Sequence, residues 1–268
     1  MKFLTALLFA NVALGARFTE KRRARYDARS GVEVADRAGR GNPRLPVVRA
    51  EGAETNGTAD VSYSSNWAGA VLIGTGFTKV TGTFVVPVPA EPSGGKSTTE
   101  YAASAWVGID GDTAQNSILQ TGVDFYVENG KTSYDAWYEW YPDYAYTFTG
   151  IQISAGDTIT VTVTATSTKA GTAVIENVST GQTVTHSFTS ESNALQELNA
   201  EWIVEDFEEG SALVPFANFG TVTFTDASAV GSSGTVGPSG ASIIDIEQSN
   251  KVLTSVSVSD TEVVVTYV

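Results

Sequence analysis

The chain has 268 residues and contains no cysteine, which excludes both a thiol nucleophile and a cysteine-ligated metal site. It has a single histidine, His186, so a histidine-dependent catalytic triad would have to run through this one side chain. A zinc site would need mostly carboxylate ligands. We therefore predict no metal and no cofactor.

Positive charge is scarce beyond residue 60. Residues 61–268 hold only five of the 16 Lys and Arg but 23 of the 30 Asp and Glu, which gives a net charge of −18. Free carboxylic acids titrate near pH 4, so most of the mutual repulsion would be gone near pH 3. This part of the chain is therefore predicted to work in acid and not to bind nucleic acid.

The chain begins with a pattern typical of a secretory signal peptide. Lys2 precedes an apolar run over residues 3–10, and Ala13 and Gly15 stand at the positions expected just before a cut. The run is too short to span a membrane, and no later apolar run is long enough either. We predict that residues 1–15 are removed and that the mature protein is secreted, extracellular and without a membrane span.

Residues 16–60 are basic, poor in large apolar residues, and contain Pro43 and Pro46. This composition predicts a removable propeptide that is largely disordered alone. Since its charge is opposite to that of residues 61–268, we expect the propeptide to bind and inhibit the mature protein. Residues 61–268 are predicted to form one folded domain and to act as a monomer.

No helical periodicity extends over any long stretch of residues 61–268. Strand-like segments instead recur about every ten residues between Gly, Pro, Asn, Asp and Ser, which predicts an all-β sandwich or barrel. One short helical turn is predicted at 193–198. The predicted strands are 68–73, 80–86, 103–109, 117–126, 134–141, 151–153, 158–165, 173–177, 183–187, 200–207, 220–224, 243–246, 252–258 and 262–268.

Two asparagines match the N-glycosylation sequence. Asn56 lies in the predicted propeptide and would leave with it. Asn177 follows a predicted strand and precedes Thr180-Gly181, which predicts an exposed turn and a candidate glycan site.

Three apolar, β-prone stretches carry acids or an amide among large aromatic residues: 106–122, 134–142 and 200–207. Buried carboxylates are costly unless paired, so these stretches favour either a polar cleft or strands with one solvent-exposed face. Because side chains alternate along a strand, each stretch has one set of residues on a shared side. The sets are Trp106, Gly108 and Asp110; Ile118, Gln120, Gly122 and Asp124; Asp135, Trp137, Glu139 and Tyr141; and Glu201, Ile203, Glu205 and Phe207.

The residues leave the chemistry open. Two carboxylates could act as acid and base, or one carboxylate could activate water opposite a neutral donor. A carbohydrate-active sandwich with two essential acids such as Glu139 and Glu205 is one alternative, and a dispensable Gln120 would favour it. A lectin-like module, which needs only the aromatic face, is another.

Five segments closely resemble the glutamic peptidases, or eqolisins. They are Ser65–Ala70, Trp106–Thr113, Ile118–Gly122, Tyr134–Pro142 and Ala200–Glu209. The resemblance extends over nearly all of residues 61–268, and several blocks in the same order are far more specific than one short motif.

The resemblance implies two seven-stranded antiparallel sheets, packed as a bent jelly-roll-type sandwich with the cleft on the concave face. It implies a catalytic pair formed by Gln120 and Glu205, with Glu205 rather than Glu201 matching the family's glutamate. The segment 141–150 matches a flap over the substrate. The implied substrate-binding residues are Trp67, Trp106, Asp110, Asp135, Glu139 and Tyr141.

The implied activity is acid endopeptidase cleavage of protein or peptide substrates. Glu205 would take a proton from water, and Gln120 would donate an amide N–H to the oxyanion. The chain departs from the family in lacking disulfides and in the short turn at 210–213, which puts the cleft rim in doubt but not the pair.

Overall fold

A computed structural model describes residues 43–47, 61–143, 145–209 and 212–268. These residues form strands joined by turns and loops, and none of them forms a helix that could cross a membrane. The predicted signal peptide and Asn56 lie outside the described residues. The strands are β1 (Val61–Ser64), β2 (Trp67–Ile73), β3 (Lys79–Val85), β4 (Tyr101–Ile109), β5 (Ile118–Glu128), β6 (Lys131–Tyr141), β7 (Tyr146–Thr147), β8 (Thr158–Ser167), β9 (Ala170–Asn177), β10 (Gln182–Phe188), β11 (Asn199–Glu205), β12 (Glu208–Glu209), β13 (Ala212–Leu213), β14 (Thr221–Gly231), β15 (Gly234–Val236), β16 (Ser242–Gln248), β17 (Lys251–Val252), β18 (Thr254–Val258) and β19 (Val263–Tyr267).

The strands form two large sheets that pack face to face. Sheet 1 has the order β1-β16-β2-β11-β4-β5-β6-β7, with β17 beside β16, and sheet 2 has the order β10-β9-β8-β3-β14-β19-β18, with β15 beside β14. Neighbouring strands are antiparallel except β1 and β16, which are parallel. Without β7, β15 and β17, which have two or three residues each, both sheets have seven strands within the described part of the chain. The predicted antiparallel β-sandwich is confirmed.

Apolar side chains that alternate along the strands fill the space between the sheets. In β8 every second residue from Ile159 to Ala165 is buried and the threonines between them are more exposed, as a strand with one wet face requires. Val107 of β4, Trp202 of β11 and Phe224 of β14 belong to the same core cluster. Trp202 also donates its indole N–H to the carbonyl of Thr81 on β3, at 2.8 Å, which ties the two sheets together.

The centre of sheet 1 is buried on both faces. All nine residues of β4 and all seven of β11 are buried, although only alternate residues can face sheet 2. The other face has its own apolar cluster, which includes Trp67, Trp106 and Trp137. This outer face, turned away from sheet 2, is the one that carries the acids of the three polar stretches.

Two local predictions are wrong. Residues 151–153 form no strand, because the backbone of Gln152 bonds to the side chains of Gln182 and Asn177 rather than to a neighbouring strand. Residues 193–198 form no helical turn. The carboxylate of Asp110 accepts the backbone N–H groups there that would otherwise bond along a helix.

Candidate active site

The three polar stretches form strands β4, β5, β6 and β11, and cross-strand pairing arranges their outer-face residues in rows. The shared sides predicted from alternation are therefore confirmed for these four strands. Pairing with β2 extends each row. The rows are Val71–Glu201–Gly108–Gln120–Glu139, Gly69–Ile203–Trp106–Gly122–Trp137, and Trp67–Glu205–Ser104–Asp124–Asp135.

Glu205, at the end of β11, is fully buried and held by two donors. Its Oε2 accepts the indole N–H of Trp106 at 2.9 Å, and Nδ2 of Asn66 lies 3.4 Å from its Oε1. Trp106 in turn packs edge-on against Trp67, with ring centroids 5.0 Å apart. Hydrogen bonds from N–H groups to a carboxylate are strong and directional, so these contacts fix the orientation of the Glu205 carboxyl group.

Gln120, in the middle of β5, is also fully buried, but its amide is unpaired. Neither Nε2 nor Oε1 has a hydrogen-bond partner among the described residues. Leaving a buried polar group unsatisfied costs about 1–3 kcal/mol of folding free energy. Such a group in a folded domain points to a functional role. Gly108, its neighbour in the row, has no side chain, and the position of its missing Cβ lies 2.7 Å from Oε1 of Glu201 and 2.8 Å from the Trp106 ring.

Glu201 lies on the far side of Gly108 in the same row. It is fully buried, and neither carboxyl oxygen has a hydrogen-bond partner within the described chain. Burial raises the pKa of Glu201 well above its ordinary value, and the nearby acids Asp110 and Asp112 raise it further. Glu201 is therefore a neutral carboxylic acid in acidic solution. Sequence reasoning placed it on the correct face but assigned it no role.

Asp110 holds a loop rather than facing open space. Its two oxygens accept the backbone N–H groups of residues 196–199 at 2.6–3.2 Å. Burial raises the pKa of Asp110 in spite of these bonds, which act in the opposite direction. Its backbone is in the left-handed region, with φ of 70°. Both carboxyl oxygens are engaged, so this geometry does not favour the substrate contact predicted for Asp110.

A second group of hydrogen bonds surrounds Asp124, which sequence reasoning did not select. Its Oδ1 accepts from the hydroxyl of Ser104 at 2.6 Å, and its Oδ2 accepts from Tyr126 at 2.8 Å. The opposite residue of the row, Asp135, accepts the hydroxyl of Thr147 at 2.9 Å. Asp135 was predicted as a site residue, and the cross-strand pairing places it beside Asp124, at the β6 end of the Glu205 row.

The remaining predicted site residues lie on β6. Glu139 is buried directly opposite Gln120, and Tyr141 belongs to the outer-face apolar cluster opposite Ile118. The segment predicted as a flap, 141–150, turns back at the end of β6. Its two-residue strand β7 pairs with β6 at the edge of sheet 1.

Residues 43–47, from the predicted propeptide, lie beside this face. Leu45 donates its backbone N–H to Oδ1 of Asn66 at 2.9 Å, and the carbonyl of Pro43 accepts from Nδ2 of Asn66 at 3.1 Å. Pro46 forms a β-bridge with Ser64 at the end of β1. Arg44 forms an ion pair of 2.9 Å with Asp112. The segment therefore contacts the residue that also bonds Glu205.

Two other sequence features have different structural roles. The exposed turn predicted at Thr180-Gly181 is present, but the side chain of Asn177 before it is fully buried and donates to the carbonyl of Gln152 and to Asp157, both at 2.8 Å. A glycan on this nitrogen would displace both bonds.

The ring of His186 stacks on that of Tyr138, with ring centroids 3.9 Å apart, on the opposite face of sheet 1 from Gln120. Within the described residues no three His, Asp or Glu side chains form a group that could hold a metal ion.

The described architecture corresponds to a known family. The family model of the Peptidase A4 family matches residues 65–267. The chain belongs to the Peptidase A4 family. Aspergillopepsin-2 from Aspergillus niger is 56% identical over the full length of both chains. The chain is therefore a glutamic peptidase, and the carbohydrate-active and lectin-like alternatives are set aside.

Solved structures of the family agree with the fold. Scytalido-glutamic peptidase with a transition state analog inhibitor is 48% identical, with a TM-score of 0.70 over 76% of this chain and 98% of that chain. SCP-B, a member of the Eqolisin family of peptidases in complex with the tripeptide Ala-Ile-His, is 46% identical, with a TM-score of 0.67 over the same shares. These A4 peptidases confirm the predicted family and the sandwich.

Proposed function

We propose that this peptidase is a secreted acid endopeptidase in which Glu205 and Gln120 form the catalytic pair. The observation that carries the proposal is the contrast between the two side chains on one buried face. The Glu205 carboxyl group is oriented by Trp106, whereas the Gln120 amide has no partner among the described residues and is available to a substrate.

The reaction needs one base and one neutral donor. Glu205 takes a proton from water as the water oxygen attacks the carbonyl carbon of the peptide bond. Gln120 donates its Nε2–H to the oxyanion that forms. Glu205 then returns the proton to the nitrogen as the C–N bond breaks, which restores the carboxylate and releases an amine and a carboxylic acid. No metal ion and no histidine are required.

An amide donor suits acidic solution because it remains neutral at every pH. The net charge of −18 on residues 61–268 also supports operation in acid, because protonation there relieves the repulsion among 23 acids. Trp67, Glu139 and Tyr141 are proposed to line the substrate site around the pair.

We also propose that residues 16–60 inhibit the enzyme until they are removed, with residues 43–47 at the point of contact. The segment forms a bridge between Pro46 and Ser64 of β1, and its Pro43 carbonyl accepts from Nδ2 of Asn66, which also donates to Glu205. Arg44 supplies positive charge opposite the acidic loop at Asp112. The amino-terminal pattern of residues 1–15 supports secretion.

The test is digestion of casein by the secreted full chain after acid activation, at pH 2–4. The proposal expects internal cleavage, identified by mass spectrometry of the fragments, and no loss of rate in EDTA. A large loss of cleavage rate in EDTA, or cleavage that occurs only near neutral pH, would contradict the proposal.

A further inference from the structure

Glu201 is a buried acid that the proposed catalytic pair does not use. Both of its oxygens are unpaired among the described residues, and its exposed fraction is 0%. An unpaired buried carboxyl group destabilises the folded state, so a structural role would be better served by an apolar residue of the same size. Glu201 therefore calls for an explanation in terms of the site that surrounds it.

Cross-strand pairing places Glu201 and Gln120 in one row with only Gly108 between them. Adjacent strands are about 4.8 Å apart, so the two Cα atoms are separated by roughly 10 Å across the sheet. The Glu201 side chain extends into the space above Gly108, where an added Cβ would be 2.7 Å from Oε1 of Glu201. Glu201 thus reaches from β11 towards Gln120, over the one position of the row that has no side chain.

The polar groups of the two side chains are complementary. Gln120 offers a carbonyl oxygen and an NH₂ group, and only one of these ends can face an oxyanion. A protonated carboxyl group has an O–H donor that fits the carbonyl end, which leaves the NH₂ end for the substrate. Neither end of the Gln120 amide is held by any other described residue.

Burial favours the protonated form of Glu201, because its pKa is raised well above the ordinary value. The charges around it act in the same direction, since Asp110 and Asp112 both raise the pKa. On the same face of sheet 1 the surrounding strands also carry Asp124 on β5, Asp135 and Glu139 on β6 and Glu205 on β11, and Arg44 is paired with Asp112.

We infer that Glu201 is a positioning residue whose O–H group bonds to Oε1 of Gln120 through one water molecule, and so directs Nε2–H at the oxyanion. This inference rests on the proposed role of Gln120. When Glu201 ionises, it loses the O–H group and accepts from Nε2 instead, which turns the donor away from the substrate. Turnover should therefore fall on the alkaline side as Glu201 loses its proton.

Two variants of the full chain, Glu201→Gln and Glu201→Leu, test the inference after acid activation. Glu201→Gln keeps a neutral donor at every pH, so kcat at pH 3 should stay within about threefold of wild type while the alkaline limb of the profile moves to higher pH. Glu201→Leu removes the donor, so kcat should fall about tenfold, the factor that one hydrogen bond of ordinary strength provides, with KM little changed. Thermal unfolding should show Glu201→Leu to be at least as stable as wild type.

Wild-type kcat in Glu201→Leu, or an unmoved alkaline limb in Glu201→Gln, would overturn the inference. So would a loss of activity that follows a loss of stability, because that pattern indicates a structural role. Gln120→Ala separates this inference from the proposed function. A fully active Gln120→Ala contradicts the catalytic pair, whereas an inactive Gln120→Ala beside a fully active Glu201→Leu contradicts only the role of Glu201.

Discussion

The indole N–H of Trp106 donates a 2.9 Å hydrogen bond to Oε2 of Glu205 and so joins β4 to β11 across the outer face of sheet 1. Both side chains are fully buried, and the aromatic ring lies between the row of Glu205 and the row of Gln120. The bond positions a carboxylate without placing a positive charge beside it. Glu205 can therefore be held in place and still accept a proton from water.

Trp106→Phe should lower kcat by about tenfold to a hundredfold at pH 3, because a hydrogen bond to a charged group contributes about 1.5–3 kcal/mol. The matched control is Trp140→Phe, which removes an indole N–H that donates to the carbonyl of Asn193 in the other core cluster rather than to Glu205. Steady-state kinetics on one peptide measure both variants. An equal loss of kcat in the two would contradict the specific role of the Trp106 bond.

Stability of the folded domain should fall as the pH rises from about 4 to about 8. Burial raises the pKa of Asp206 to about 8 and that of Asp245 to about 6, from an ordinary value of 3.8. The folded state therefore binds these protons more tightly than the unfolded chain, and the stability they contribute is lost as the pH rises through the folded values. Thermal unfolding at pH 3, 5, 7 and 8 measures the trend.

Asp206→Asn is the control for this pH dependence, because it removes the group whose pKa is raised more. The variant should lose less stability than wild type between pH 4 and pH 8. A stability curve that rises over this range in the wild-type protein would show that the sign is wrong.

Asp110→Ala should lower the free energy of unfolding by about 3 kcal/mol, because it removes the acceptor of four backbone N–H groups, those of residues 196–199, one of which is in a buried hydrogen bond and three in part-buried ones. Asp226→Asn serves as the control. Asp226 is exposed and has a positive φ of 50°, which asparagine tolerates, so this change should stay within about 0.5 kcal/mol of wild type. Urea unfolding at pH 4 compares the two, and equal stabilities would refute the assigned role of Asp110.

A peptide of residues 16–60 should inhibit the activated enzyme, more strongly at low salt, because charge pairs are screened by salt. Arg44→Gln should weaken the inhibition, since Arg44 pairs with Asp112 at 2.9 Å. Arg29→Gln makes the same change in net charge elsewhere in the peptide. Inhibition constants at two salt concentrations distinguish the two, and equal weakening would show that net charge rather than this contact matters.

The all-β fold could be predicted from alternation and turn residues, and the period of two also grouped Gln120, Glu139 and Glu205 with the residues that share their side of each strand. Alternation alone could not say which face lies away from sheet 2. Alternation also could not predict the hydrogen bonds of Asp110 and Asn177. The partners of both lie far away in the sequence, in a loop near residue 198 for Asp110 and at Asp157 for Asn177. Asn66, which joins residues 43–47 to Glu205, stands beside Trp67 in a segment that the family resemblance already marked.

The most direct test of the central claim is the turnover of one peptide at pH 3 by Glu205→Gln, Gln120→Ala and Glu139→Gln, with folding checked by circular dichroism. Glu205→Gln should keep the fold and lose cleavage, because an amide cannot accept the proton of water. Gln120→Ala should also fail, since it removes the N–H donor to the oxyanion. Glu139→Gln should retain turnover. Activity of Glu205→Gln within tenfold of wild type, together with an inactive Glu139→Gln, would contradict the account.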